Sequence, residues 1–347
     1  MSRNTHPLQR TRIAIAIALA AGLAGCGGGG GDDGTVEQNS LVTVSAANQD
    51  SIAHAGATAL GLIGVTSVMP LSATPGMSHA LAASRQATST TPWAWVSTHV
   101  TSVLVHGLTG TAPASGIRRP LAVYPPEVQS CMLSGSMSLT WDDRNNNSNI
   151  DVGDVLAMDF NACADDALGT ANGHAVATIT ALAGNTSMSL RLAMTGLSTT
   201  SPRHTLTVGG AMLVDVTADA DGNTMAMRMT TDGPLKVAAR THVFDDTVTL
   251  QSGFVQNAGF DASGTSHVTV SGRIESTAMG GAVDVSTLAE LVNVSTEAYP
   301  SAGSIRMSGK AGKLTLTAAG ASVRMDLDDD DDGETEATET QTWDWLL

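Results

Sequence analysis

The sequence predicts a mainly β fold: a large antiparallel meander built as a curled sheet, a partly closed barrel or a sandwich, with one or two N-terminal helices packed on it. Three observations carry this expectation. From Cys131 onward, apolar residues recur with a period of two: Met188, Leu190, Leu192 and Met194, then Met225, Met227 and Met229, then Val323, Met325 and Leu327. That period sets them on one face of half-buried strands. Turn signals separate the runs at Gly184-Asn185, Asp221-Gly222, Asp232-Gly233, Gly280-Gly281 and Gly320, at spacings that suit hairpins or slightly longer excursions. Upstream of residue 120, by contrast, the spacing of apolar residues turns partly helical.

The chain opens with Arg3, Arg10 and Arg12, an apolar stretch from Ile13 to Ala21, and small residues up to Cys26. This is the layout of a secretory signal peptide, with an apolar stretch too short to span a bilayer as a helix. Leu23-Ala24-Gly25-Cys26 resembles the processing site of bacterial lipoprotein precursors. The resemblance implies removal of residues 1–25, acylation of Cys26, and, with Gly27 rather than aspartate following it, an outer-membrane address. Residues 26–40, with five glycines after the cysteine and then Asp32-Asp33-Gly34, cannot pack a core and read as a flexible tether.

Residues 41–120 are rich in Ala, Ser and Thr. The best helix there runs from Pro92 to His106: Thr91 caps it, Gly107 ends it, and Trp93, Val96, Val100, Val103 and Leu104 share a face. A second helix covers Asp50 to Ile63, weakened by Gly56 and Gly61. Residues 131–347 form the antiparallel β domain, roughly ten to thirteen strands by the count of alternating runs. No fixed repeat is visible, which disfavours a propeller or solenoid.

With Cys26 assigned to lipid, Cys131 and Cys163 are left as a pair in an oxidising compartment, where a disulfide is the default. A hairpin that sets residue 131 opposite 163 also sets Trp141 opposite Gly153 and leaves Asp142 to Val152 as its loop. Directly opposed Cα atoms stand about 4.5 or 5.5 Å apart, within a disulfide's reach. Two free thiols or a metal pair are the other readings, and neither cysteine has the Cys-x-x-Cys spacing or a nearby histidine that a metal would want.

Between these cysteines, Asp143 to Asp154 carries side-chain oxygens at loop positions 1, 3, 5, 9 and 12. It resembles the calcium loop of EF-hands, and more closely the dockerin version ending in aspartate. Calcium takes six to eight oxygens, and alternate residues of a tight loop can point them inward. The resemblance implies Asp143, Asn145, Asn147, Asp151 and Asp154 as side-chain ligands and Asn149 as a backbone one. Ser148 replaces the turn glycine, and the flanks read as strands rather than helices; a polar hairpin tip with no ion is the competing reading.

A second loop, Asp328 to Glu339, fits the D-x-D-x-D-G-x5-E pattern with its register fixed by Gly333. The candidate ligands are Asp328, Asp330, Asp332, Glu336 and Glu339. Nine carboxylates fall within the fourteen residues from Asp326 to Glu339, and their mutual repulsion opposes a compact loop unless cations bind or screen them. A solvated acidic turn is the competing reading here.

Catalytic signatures are thin. The histidines are scattered with no H-E-x-x-H, no P-loop or dinucleotide fingerprint occurs, and Gly76-Met77-Ser78-His79-Ala80 departs from a nucleophile elbow at its last position. Trp343 and Trp345 alternate with Asp344 as though closing a strand. The formal charge of −16 includes three arginines of the signal segment, so the remainder stands near −19, which disfavours a nucleic-acid partner. Aromatics at 3% are too few for the girdles of a membrane barrel.

Beyond the processing site, the chain resembles, in order of features only, proteobacterial envelope lipoproteins with a Gly-rich tether, a Cys-flanked acidic hairpin and an acidic C-terminal turn. That likeness lends no activity. The reading is a calcium-stabilised β-rich binding or structural module, not an enzyme, held at the outer membrane by its lipid. The alternative is a periplasmic carrier of lipid or another apolar ligand in a curled-sheet cavity, walled by adaptable methionines such as Met225, Met227 and Met229.

Overall fold

The computed structural model describes residues 40–64 and 127–346, apart from short stretches at 132, 148–149, 165–168, 185, 202–203, 220–223, 242–243, 262, 264, 295–296 and 298. The signal segment, Cys26, the tether, the Pro92 to His106 helix and Asn149 lie outside the described residues.

As the alternation predicts, one antiparallel sheet of sixteen strands dominates. Its first strands are β1 (Glu127–Ser130), β2 (Ser134–Asp142), β3 (Val155–Ala164), β4 (Thr170–Ala183), β5 (Ser187–Thr200) and β6 (His204–Ala218). Then come β7 (Met225–Thr231), β8 (Leu235–Thr241), β9 (Asp245–Leu250), β10 (Val255–Phe260) and β11 (Ser266–Ser276). The last are β12 (Gly281–Asn293), β13 (Ala302–Ser308), β14 (Lys313–Ala319), β15 (Ser322–Asp328) and β16 (Ala337–Thr342). Sequence neighbours pair almost throughout, and among the described residues every strand belongs to the same sheet, so the sandwich is not the outcome.

The meander parts at one place. β6 pairs with β7 along Met212–Ala218 and with β8 along His204–Gly209. β11 likewise meets β10 and then β9. Thus β7 and β8 are two lengths of one line across β6, as are β10 and β9 beside them, and a gap opens where both lines break. Asp232-Gly233, expected as a turn signal between strands, separates β7 from β8 and marks one of these breaks: the Asp232 N–H donates to Ala211 O at 2.9 Å, keeping contact with β6 as the line continues. Four glycines at positive φ border the gap, Gly210, Gly233, Gly253 and Gly272, and two of them meet neighbouring backbone closely. A Cβ on Gly210 would lie 2.8 Å from Pro234 O, and one on Gly272 would lie 2.7 Å from Phe254 Cα. Only glycine lets the strands bend this closely.

Helix α1 (Gln49–Gly64) matches the expected Asp50 to Ile63 within a residue at each end. Asn48 stands before it and accepts the Ile52 N–H at 3.0 Å through its carbonyl, and Asp50 in the first turn suits the positive end of the helix dipole. Nine consecutive residues, Ile52 to Leu60, are buried, so the helix is covered on every face. A helix buried all round is enclosed rather than laid on a surface. It contacts β9, β11 and β14, Met307 of β13 at Gly56, and the C-terminal turn. That turn, α2 (Trp343–Leu346), is helical and not the end of a strand. Trp343 is buried and donates from Nε1 to Gly320 O at 3.1 Å, so anchoring the indole against the β14–β15 turn sets the terminus. His54 stacks on Phe244 at 4.4 Å and places Nδ1 3.0 Å from Leu346 O, tying α1 to α2.

The segment before α1 crosses one end of the sheet. Val42 N–H donates to Ala282 O and Val44 N–H to Ala311 O, while Lys310 N–H donates to Val42 O. The slot is lined by glycines: a Cβ on Gly309 would collide with Val42 O, and one on Gly312 would lie 2.5 Å from Val44 O.

Cys131 and Cys163 form a disulfide with Cα atoms 5.4 Å apart. The route differs from the expected one. β2 and β3 pair Asp142 with Val155 and Trp141 with Leu156, not with Gly153. Cys131 lies beyond the paired part of β2, where its N–H donates to Gly135 O in the β1–β2 turn. The bridge therefore joins a turn to a strand. The same register leaves Asp143 to Asp154 as the connection between β2 and β3, twelve residues rather than the eleven from 142 to 152.

Candidate metal centre

Both acidic loops close hairpins of the sheet, and their first halves share a set of hydrogen bonds. In the β15–β16 loop, Asp328 Oδ1 accepts the Asp331 N–H at 2.7 Å and Asp330 Oδ1 accepts the Asp332 N–H at 3.2 Å. In the β2–β3 loop, Asp143 Oδ1 accepts the Asn146 N–H at 2.7 Å and Asn145 Oδ1 accepts the Asn147 N–H at 3.1 Å. The fourth residue of each loop, Asp331 and Asn146, is left-handed, with φ of 67° and 60°. Asp and Asn tolerate that conformation because their short polar side chains bond locally. The turn it makes brings alternate side chains to the same side.

In the second loop the result is a convergence of acids. Asp328, Asp330, Asp332 and Glu336 can bring one carboxylate oxygen each to within 4.8 Å of one another. Asp328 is half-buried and the other three are exposed. Lys313 forms an ion pair with Asp331, which lies outside this group. Four hard, anionic oxygens at this spacing can hold a metal ion.

Glu339 does not join them. Leu327 pairs with Ala337 and Met325 with Glu339, so the chain has re-entered the ladder before position 12 is reached. A strand rises about 3.3 Å per residue, which carries Glu339 away from the loop, where its carboxylate accepts from Gln49 Nε2 at 3.1 Å. Glu336 closes the loop in its place, accepting the Asp329 N–H at 2.8 Å.

The first loop runs its full length. Asp154 accepts the Arg144 N–H at 3.0 Å and the Asp151 N–H at 2.9 Å, and Asp143 and Asp154 are both buried at the loop's neck. Above them Asn145 Nδ2 and Asn147 Nδ2 converge on Asp151 Oδ2, at 2.7 and 2.5 Å. These amides, Asn145's first, hold the Asp151 carboxyl below its ordinary pKa by bonding to its charged form.

No family model, curated protein or solved structure matches the chain. The two loops therefore stand on their own geometry.

Two polar groupings were not legible in the sequence. Asp246 on β9 is buried and accepts from Ser276 Oγ at 2.5 Å, Thr277 Oγ1 at 2.6 Å and the Ala278 N–H at 2.9 Å. It clamps β9 to the β11–β12 turn. Ser138, Asp159 and His174 lie in a row across β2, β3 and β4, with Asp159 in the middle: it meets His174 Nδ1 at 2.7 Å and accepts from Ser138 Oγ at 3.5 Å. A nucleophile needs its base next to it; here the carboxylate separates hydroxyl from imidazole. Both groupings depend on strand register, which no local motif reports.

Proposed function

We propose that the protein is a calcium-stabilised binding or structural module, anchored to the outer membrane through a lipid on Cys26. The observation that carries this is the convergence of Asp328, Asp330, Asp332 and Glu336 at one hairpin end. Such a cluster repels itself, and a hard divalent cation relieves the repulsion while supplying a centre for the loop. The first loop supports the same ion by a different set. Asn145, Asn147 and Asp151 already meet at one point, and a half-turn of each amide presents oxygen there instead of nitrogen. An exported chain meets calcium in the range of about 0.1–1 mM that extracellular modules bind.

The enclosed α1 favours a module over the apolar carrier. Its buried residues pack on β9, β11 and β14, covering sheet surface that a carrier's ligand would need.

Thermal melting of the full mature chain across a calcium titration tests the loops. The midpoint is expected to rise at millimolar calcium, as ligand binding to the native state requires, and to rise less in Asp332→Asn and in Asp143→Asn. A midpoint indifferent to calcium would reject both sites. Labelled fatty acid incorporated by the cells and lost in Cys26→Ala tests the anchor independently.

A further inference from the structure

We propose that the gap between the β7–β8 and β9–β10 lines holds one internal water molecule, bound to Gln256 Nε2 and Thr231 Oγ1. The gap contains a cavity of about 20 Å³ lined by Met212, Met229, Thr231, Leu235, Leu250, Phe254 and Gln256. A single water needs roughly 10–15 Å³ of such volume and two to four polar partners. The space is therefore large enough for one water.

Two polar side chains, Thr231 and Gln256, belong to the cavity lining. Gln256 is 3% exposed, sits on the inward face of β10, and its Nε2 has no hydrogen-bond partner among the described residues. Its ladder neighbours, Met229 and Val270, are apolar. A buried amide nitrogen left in such surroundings carries its full desolvation cost. Thr231 already donates to Gln251 O at 2.6 Å and accepts the Phe254 N–H at 3.0 Å. A hydroxyl has two lone pairs, so one remains for an incoming donor. A water can accept from Gln256, donate to Thr231, and turn its other hydrogen toward a methionine sulfur, a weak acceptor. The room lies where both strand lines break, between the last β7–β10 pair, Thr230 with Val255, and the first β8–β9 pair, Leu235 with Leu250.

This assigns Gln256 a purpose that a core position does not otherwise explain. The test is water-to-protein cross-relaxation by NMR on the full mature chain with labelled methionine methyls and glutamine side-chain amides. The expected result is a long-lived water close to the Gln256 amide and to the Met212 and Met229 methyls, whose water cross-peaks vanish in Gln256→Leu. Absence of a water cross-peak at these methyls in the unsubstituted protein would overturn the proposal, as would a cross-peak that persists unchanged in Gln256→Leu. Should that variant fail to fold, Thr231→Val serves in its place, with the same disappearance expected and persistence again fatal.

Discussion

Glu336 accepts the backbone N–H of the second residue of its loop, Asp329, as Asp154 accepts that of Arg144 in the other loop. The two acids stand at positions 9 and 12, so the second loop reaches with a longer side chain what the first reaches with three more residues. The pattern that suggested Glu339 as a ligand thus closes one ligand early. Glu336→Gln is expected to weaken calcium binding by about tenfold or more, since affinity follows the count of charged ligands, while Glu339→Gln leaves it unchanged. Calorimetric titration of the two variants checks this; equal losses would restore Glu339 to the site.

The strands and both loops were legible because burial on one face imposes a period of two, and because acidic residues cluster at hairpin ends. What was not legible depended on register. Trp141, expected opposite Gly153, stands opposite Leu156, since a turn residue such as Cys131 can reach Cys163 without being its ladder partner. Asp232-Gly233 reads locally as a turn, yet continued pairing to β6 carries the chain straight on. Trp343 alternates like a strand residue, but burying its ring while bonding Nε1 to Gly320 O coils the chain instead. In each case a long-range contact overrides a local preference.

The glycine slot that holds Val42 and Val44 should tolerate no side chain. Gly309→Ala drives a methyl into Val42 O, and overpacking of this kind costs about 1–3 kcal/mol. Gly259→Ala in β10 is the control: its Cβ would meet nothing within 4 Å and its φ is ordinary, so replacing a strand glycine there is neutral or stabilising by up to about 1 kcal/mol. Denaturant midpoints of the two variants give the comparison, and equal midpoints would mean the segment does not depend on the slot.

Asp261 gathers donors from Ser263 Oγ at 2.6 Å, from the Thr265 N–H at 2.9 Å and from the Ser263 N–H at 2.9 Å. The Ser263 hydroxyl, chiefly, holds its carboxyl below the ordinary aspartate value of 3.8. A depressed folded-state pKa favours the native form above the unfolded value, near pH 4, and that gain is lost as pH falls through the lower folded value. Ser263→Ala should raise the Asp261 midpoint toward 3.8 in a carboxyl-carbon NMR titration. A midpoint unmoved by the substitution would assign the effect to the backbone donors instead.

The disulfide spans 32 residues and ties the β1–β2 turn to β3. β1 has four residues and, among the described residues, pairs only with β2, so the bridge is the covalent hold on that edge. Restricting an unfolded loop of this length contributes about 3–4 kcal/mol in the chain-entropy view. Cys163 is fully buried, and a serine hydroxyl there would add its own desolvation cost, which makes reduction a cleaner test than serine substitution. Denaturant unfolding with and without reductant is expected to differ by that amount. Cys131→Ala/Cys163→Ala should match the reduced protein and be indifferent to reductant. Should reduction leave the midpoint where it was, the native contacts of β2 with β1 and β3 alone would hold this end of the sheet, and the bridge would carry no stability.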